Sequence, residues 1–394
     1  MFEVIQTAPP DSILGLNDAF ARDGRSEKIN LSVGVYKDAA GRTPVLKSVK
    51  EAERRLLERE STKSYLPIEG SAEFREHTLH LVMGGLVPSD RAGLMQVPGG
   101  TGGLRVLADF LAIHLPQSRI WVSIPTWDNH PSLFGAAGLQ VETYPYLNAE
   151  RTGLDFERMM EALCQQTRRG DAVLLHACCH NPTGVDPTVE QWREIARVLS
   201  ERGLLPVVDF AYQGFGEGLD RDRIGLEALT STCPELLIAS SFSKNFGLYS
   251  ERVGAVVAVS ADHETAQAVF SQLKRCIRTN YSNPPRHGGS VVATVLGDPD
   301  LHKQWQAEVA EMRQRIATMR SDFVSEMAKR QSQRDYRFLL SQKGMFSFSG
   351  LTPMQVDRLR SEFAIYIVGS GRINVAGITP DNLEPLCDAV AAVL

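Results

Sequence analysis

From residue 119 onward the chain alternates short apolar runs with longer amphipathic ones. Arg119–Ile124, Ala172–Ala177, Leu204–Val208, Leu236–Ala239 and Val253–Val259 read as buried strands. Helical patterns lie between them. The clearest takes Asp186 as N-cap and Pro187 in its first turn. It carries Trp192, Ile195, Ala196 and Leu199 on one face and stops at Gly203. Strands alternating with helices predict an α/β domain with a largely parallel sheet.

The flanks read differently. Residues 1 to about 30 are irregular around Pro9-Pro10, with a short amphipathic stretch from Ile13 to Phe20. Ile29 to Tyr36 alternates apolar and small residues and meets a turn at Asp38–Gly41. Gly34, inside that stretch, marks either a close approach of backbone to ligand or a bulge. Val45–Glu60 is a charged helix, Tyr65–Gly70 a loop and Ala72–Met83 a further helix. From Asp300 a long helix runs to about Arg330. Its apolar residues Trp305, Val309, Met312, Ile316, Met319 and Phe323 step by three or four, which makes that face core. Short strands at Met345–Phe348 and Arg372–Val375 complete a small α+β domain.

Composition narrows the class. The 394 residues suffice for a large core and two domains, and 43% hydrophobic with 23% charged content is ordinary for a soluble enzyme. A net charge of −5, from 42 basic and 47 acidic residues, offers no electrostatic case for nucleic acid or an anionic membrane. Cys164, Cys178, Cys179, Cys233, Cys276 and Cys387 show no CxxC or zinc spacing, so no metal is expected. Cys178 and Cys179 end an apolar run and read as small core residues, which fits a reducing cytoplasm. The Met1-Phe2-Glu3-Val4 start lacks the basic and apolar regions of a secretory signal, and no apolar run is long enough to span a membrane.

Candidate chemistry gathers just past the strands. Leu236–Ala239 runs into Ser240-Ser241-Phe242-Ser243-Lys244-Asn245-Phe246-Gly247-Leu248. Most lysines are solvated surface charges, but this one follows a buried strand among serines that can donate to a phosphate. A partly desolvated lysine has a depressed pKa and forms a Schiff base with a carbonyl. Together these features suggest pyridoxal phosphate (PLP). Pro98-Gly99-Gly100-Thr101-Gly102-Gly103 precedes Leu104, Leu107, Ala108, Leu111 and Leu115 at helical spacing. A glycine-rich turn opening a helix is either an anion site or simply a tight turn. Trp127, Asn181, Asp209 and Lys244 each fall just beyond a strand's C-terminal end, the edge where open α/β sheets bind ligands. Asp209 taken alone is equally a cap or turn residue.

With these residues assembled, the chain resembles the PLP-dependent aminotransferases of the aspartate aminotransferase family, fold type I. The resemblance covers almost the whole chain, from residues 9–16 to the C-terminus. Its motifs are Cys179-His180-Asn181-Pro182-Thr183-Gly184, Asp209-Phe210-Ala211-Tyr212-Gln213-Gly214, Ser241-Phe242-Ser243-Lys244-Asn245-Phe246-Gly247, Glu251-Arg252-Val253-Gly254 and Ser370-Gly371-Arg372-Ile373-Asn374-Val375. It implies a large domain with a mostly parallel seven-stranded sheet flanked by helices, and a small α+β domain. Residues 1–43 would form an N-terminal arm and part of the small domain, 44–310 the PLP domain and 311–394 the rest of the small domain.

The implied roles follow position by position. Lys244 holds PLP as a Schiff base and shuttles the proton, Asp209 pairs with the pyridinium nitrogen, and Trp127 stacks on the ring. Tyr212 and Asn181 hydrogen-bond its phenolic oxygen, Asn181 through a cis bond to Pro182. Arg252, Ser241, Ser243, Gly100 and Thr101 bind the phosphate, helped by Tyr65 from a partner subunit. Arg372 clamps the substrate α-carboxylate, Gly34 lines the pocket, and Arg278, again from the partner, meets a side-chain carboxylate. The implied enzyme is a cytoplasmic homodimer with shared active sites. It performs ping-pong transamination between amino acids and 2-oxo acids, with aspartate and 2-oxoglutarate as the expected pair.

Two departures stand out: Gly84–Gln96 looks a few residues shorter than in close relatives, and Ser64 replaces a common asparagine. Val35, Lys37, Thr43, Thr101 and Asn283 look aspartate-type, whereas Ser64 and the Tyr65–Gly70 loop resemble dual-specificity members. Aromatic or dual specificity is therefore the alternative. The other rivals are a PLP-dependent lyase or decarboxylase on the same fold, and a dinucleotide-binding protein using Pro98–Gly103, which lacks the fingerprint spacing.

Overall fold

The runs Ala172–His176, Leu236–Ser241 and Gly254–Val259 are buried at every position, as strands covered on both faces must be. They lie inside one seven-stranded sheet in a computed structural model that describes residues 1–7, 14–330 and 334–394. Its strands are β1 (Ala92–Val97), β2 (Arg119–Ile124), β3 (Gln140–Pro145), β4 (Ala172–His176), β5 (Leu205–Phe210), β6 (Leu236–Ser241) and β7 (Gly254–Val259). The spatial order is β1-β7-β6-β5-β4-β2-β3. Only β7 runs against its neighbours β1 and β6; the other pairings are parallel. This is the mostly parallel α/β sheet that the resemblance implies. The order reverses between β2 and β4, so the crevice past their C-terminal ends is the switch point where such sheets bind ligands.

The chain divides into two compact units, residues 44–314 with 342–344, and residues 1–43, 315–341 and 345–394. The first holds the sheet. Its core packs Leu104, Leu107 and Leu111 of the helix Gly99–His114 against Val97, Val122, Ala239 and Val256 of the strands. In the second unit Ile29–Asn30 pairs in parallel with Ile365–Tyr366, and Phe346–Phe348 pairs antiparallel with Arg372–Asn374. The helix Pro299–Lys329 passes from one unit into the other, and all six of its expected core residues are buried.

Several local expectations shift. Ile29–Tyr36 gives a strand of two residues only; beyond it the side-chain amide of Asn374 donates to Val33 O and Val35 O, so a side chain replaces a ladder. The helix after β4 spans Val189–Arg202 and is capped by Thr188, not Asp186. Thr188 and Gln191 form a reciprocal capping box, which satisfies two orphan groups at once, and Asp186 is left for other work. Asp209 lies within β5, in register with His176 and Ala239, one residue before the strand ends. The segment 9–13, which opens the resemblance, falls outside the described residues.

Candidate active site

Lys244 sits on a loop pinned from three sides. Past the end of β6, Phe242 N donates to Val253 O at 3.0 Å, and Gly247 N closes a turn onto Lys244 O at 3.0 Å. Asn245 is held at both ends: its amide donates to Gln213 O at 3.1 Å, and its carbonyl accepts from the indole of Trp305 at 2.8 Å. The Trp305 ring also stacks on Phe246, with centroids 4.5 Å apart. The lysine backbone therefore has little freedom. Its ammonium nitrogen lies 4.8 Å from the centroid of the Tyr212 ring. Burial lowers the Lys244 pKa; Asp209 opposes that and Arg252 reinforces it. A lowered pKa raises the fraction of free amine, the form that attacks a carbonyl or takes a proton.

Behind the lysine, Asp209 ends a line of hydrogen bonds. Burial works to raise its pKa, but the hydrogen bond from His130, with the favourable surroundings of His130, His176 and Lys244, outweighs burial and holds it low. Asp209 is thus an ionised carboxylate in a buried place. His130 Nε2 lies 3.1 Å from Asp209 Oδ2, and His130 Nδ1 lies 2.8 Å from Thr126 Oγ1. Thr126 Oγ1 in turn lies 3.2 Å from His176 Nε2, and Asn181 N donates to His176 Nδ1 at 3.4 Å. Burial and the neighbouring His130 push the His176 pKa down to about 3, so its ring is neutral.

Because Nδ1 of that neutral ring accepts, Nε2 carries the hydrogen and donates to Thr126. The Thr126 hydroxyl then donates to His130 Nδ1, and His130 Nε2–H donates to Asp209. One orientation satisfies every link. His180 packs beside the line, its ring centroid 4.2 Å from that of His176; it also stacks on Tyr146 at 3.8 Å and bonds to Ser123 and Thr183. Sequence reasoning missed Thr126, His130, His176 and His180. His176 closes a strand at the ligand edge, and His130 is three residues past Trp127, where the rings meet edge to face at 5.2 Å. Those placements were the available signal.

A third group forms a cradle for an anion. The helix Gly99–His114 begins within the glycine run, so the glycines occupy its first turns rather than a separate turn before it. Gly99 has φ +73°, and a Cβ there would fall 2.4 Å from Arg252 Nη2. A Cβ on Gly254 would fall 2.6 Å from the Gly99 carbonyl carbon, and one on Gly100 would press on Ser241 Cβ at 3.1 Å. Only backbone fits against this end of the sheet. Ser241 Oγ lies 3.2 Å from Ser243 Oγ, which accepts from Arg252 Nη1 at 3.3 Å. Arg252 adopts a left-handed φ of 53°, a conformation costing about 1 kcal/mol. Two hydroxyls, a guanidinium and the N–H groups of a helix's first turn are together able to hold an oxyanion. Thr101 is exposed in the helix's first turn.

The remaining predicted residues are placed as follows. Asn181 is buried, its bond to Pro182 is cis, and its Oδ1 has no hydrogen-bond partner. Trp127 is half-buried beside His130. Tyr65 is 92% exposed. Arg278 is exposed on the last turn of the helix His263–Asn280 and bonds to Ser282. The two segments carrying them are stitched together: Asn283 donates to Leu66 O and Arg286 to Thr62 O, each at 2.9 Å. Tyr65 and Arg278 therefore belong to one exposed patch. In the other unit Arg372 is buried, donates to Ser32 O at 2.6 Å and lies 4.3 Å over the Phe346 ring. A Cβ on Gly34 would meet that same ring at 2.8 Å. Among the described residues, no group of three or more His, Cys, Asp or Glu could hold a metal ion, and no helix is long and apolar enough to cross a membrane.

An aromatic aldehyde phosphate fits what is present. The cradle suits its phosphate, the Lys244 amine its carbonyl, the buried Asp209 carboxylate a protonated ring nitrogen, and the N–H donors of the Asn181 amide a ring oxygen. Comparison with known proteins agrees. The family model "Aminotransferase class I and II" matches residues 26–390. The aspartate aminotransferase of Salmonella typhi is 55% identical over 397 residues, covering 100% of both chains. The aromatic-amino-acid aminotransferase of Pseudomonas aeruginosa is 48% identical, covering 100% of this chain and 98% of its own. The crystal structure of a Burkholderia pseudomallei aromatic-amino-acid aminotransferase, covalently bound to pyridoxal phosphate, superposes with a TM-score of 0.97. It is 45% identical and covers 100% of this chain and 99% of that one.

Proposed function

This chain belongs to the class I and II aminotransferase family, and we propose that it transfers the amino group of L-aspartate to 2-oxoglutarate, giving oxaloacetate and L-glutamate, with PLP carried on Lys244. The observation that carries the reading is the lysine itself, an amine of lowered pKa beside an ionised Asp209 and an oxyanion cradle. When bound, PLP supplies an electron sink conjugated to the substrate α-carbon. The residues do the rest. Arg252, Ser241, Ser243, Gly100 and Thr101 hold the phosphate, with Tyr65 of the partner subunit. Trp127 covers the ring, Tyr212 and Asn181 bind its oxygen, and Asp209 keeps its nitrogen protonated. Lys244 takes the α-proton as general base and returns it, as general acid, to the carbon on the far side of the transferred nitrogen, two bonds away. The two substrates use one site in turn, so the kinetics are ping-pong.

Two forks set the substrate. Arg372 binds the α-carboxylate, with Gly34 lining the pocket beside it, and Arg278 of the partner subunit binds the side-chain carboxylate. Each charge-assisted pair contributes roughly 1.5–3 kcal/mol. The shared exposed patch of Tyr65 and Arg278 supports a homodimer, since both are aimed away from their own core. In this reading residues 44–310 form the PLP domain, with 1–43 and 311–394 as arm and small domain, and the enzyme works in the cytoplasm. Relatives named for aromatic amino acids, at 48% identity, keep tyrosine and phenylalanine as the second reading.

Two measurements test this. Borohydride reduction followed by peptide mapping places the label on Lys244; a label on another lysine removes the assignment. Steady-state kcat/KM is higher for aspartate than for phenylalanine or tyrosine; the reverse order makes this an aromatic aminotransferase.

A further inference from the structure

The loop that carries Asn181 is held by a side chain with no part in the chemistry so far. Three consecutive backbone N–H groups, those of Cys179, His180 and Asn181, each meet a side-chain acceptor. Cys179 N donates to Asp186 Oδ2 at 2.7 Å and His180 N to Asp186 Oδ1 at 2.9 Å. Asn181 N donates to His176. Successive N–H groups converge on one anion where the backbone turns or passes through the left-handed region, and Cys179 has φ 52°. That conformation disfavours a residue with a Cβ by about 1 kcal/mol, and two charge-assisted hydrogen bonds offset it. The far side of the loop is braced as well: Lys343 N donates to Gly184 O at 2.7 Å, and a Cβ on Gly344 would overlap Cys179 Cβ at 2.4 Å.

We propose that Asp186 is a positioning residue: its carboxylate clamps the 179–181 backbone and so aims the Asn181 amide at the ring oxygen of the bound cofactor. The inference rests on the PLP reading above. Asp186 is well placed for the task because it is freed from helix capping by Thr188. The groups facing it are Cys178, Cys179 and the neutral His180 on its own loop, Tyr146, Asp222, and Lys343, which is paired with Glu217 at 2.6 Å. Burial pushes the Asp186 carboxyl up to about 6, against its backbone donors and Lys343 and with help from Asp222. Ionised, it accepts two N–H bonds; protonated, one oxygen becomes a donor facing a donor. The clamp therefore loosens as pH falls through about 6.

The test is a double-mutant cycle read by the absorbance of the lysine-bound cofactor against pH. Asn181→Ala removes a hydrogen bond to the ring oxygen and moves the titration midpoint up. Asp186→Asn does the same by about one pH unit. Added to Asn181→Ala, it moves the midpoint no further, because the residue it aims is gone. An unchanged midpoint in Asp186→Asn, or equal shifts in both backgrounds, overturns the proposal. A stability loss alone does not move this midpoint.

Amide exchange on the cofactor-free protein separates the two readings. In wild type, protection of the Cys179 and His180 amides falls at least tenfold between pH 7 and pH 5, and Asp186→Asn shows the low value at both. Protection unaffected by pH in wild type sinks the clamp, even if Asp186→Asn does not accumulate. Failure of the protein to carry PLP sinks the functional reading and leaves this measurement standing.

Discussion

Arg372 and Arg278 are the same side chain in opposite surroundings. Arg372 is 4% exposed, fixed by a 2.6 Å bond to Ser32 O and by the face of Phe346. Arg278 stands exposed at a helix end, with Ser282 as its hydrogen-bond partner. A guanidinium held by its own frame spends little entropy on binding, so it suits the α-carboxylate that every amino acid presents. A mobile guanidinium binds a second carboxylate when there is one and can leave when there is not. The comparison predicts a rigid fork for what substrates share and a loose one for what distinguishes them.

The largest effect is expected from removing the proposed Schiff-base residue. Lys244→Ala should lower kcat by about 10⁴-fold for every substrate. Retention of more than a few per cent activity would mean another base acts. Next, Arg372→Ala should cost about 100-fold in kcat/KM for aspartate and phenylalanine alike, and Arg372→Lys should recover little, since an ammonium cannot reproduce the fork. A phenylalanine activity that survives would break the comparison.

Arg278→Ala should cost about 10- to 100-fold for aspartate and roughly twofold for phenylalanine; equal losses would remove Arg278 from the side-chain site. Mixing this variant with Lys244→Ala sharpens the point. In a shared-site dimer one site collects both lesions and the other none, so subunit exchange restores aspartate activity. No recovery despite proven exchange would mean that each site is built within one chain.

The smallest effect concerns stability. His176 titrates near 3 in the fold, against 6.5 ordinarily, because it is buried beside His130. Between those values the unfolded chain binds a proton that the native one does not, so stability falls as pH drops, by up to about 1.4 kcal/mol per pH unit. Asp186, raised to about 6, works in the opposite sense below that pH. Urea unfolding at pH 7 and 5.5 should show a steeper loss in wild type than in His176→Asn; equal slopes would mean that the imidazole is not held neutral.

What was legible follows from where the constraints are local. The five strands read from the pattern are central in the sheet or next to its edge, where both faces are covered and runs of apolar residues fill most positions. The two not read, Ala92–Val97 and Gln140–Pro145, are the sheet's two edges. There Gln140 is exposed and Gly93 and Glu142 are only half-buried, while the buried Gln96 is accommodated by donating to Pro285 O at 2.7 Å; these residues break up the apolar runs that marked the other strands. The same logic separates the site residues. Lys244 and the glycines before Leu104 stand out because each is unusual for its neighbours in the chain. His130 is an ordinary histidine until β5 brings Asp209 to 3.1 Å from it.

By itself, then, the sequence determined the alternation of buried strands and helices, the core face of Pro299–Lys329 and the kinds of group available for chemistry, because periodicity and composition act over a few residues. The tertiary structure alone decided which polar groups meet. It gave Asp186 to the Cys179 and His180 amides rather than to a helix end, oriented the line from Asn181 through His176, Thr126 and His130 to Asp209, and set Gly99 against Arg252. Each of these is a contact between residues distant in sequence or a choice between competing donors. Burial makes such choices sharp, because a polar group that is out of water and unpaired costs more than the alternatives.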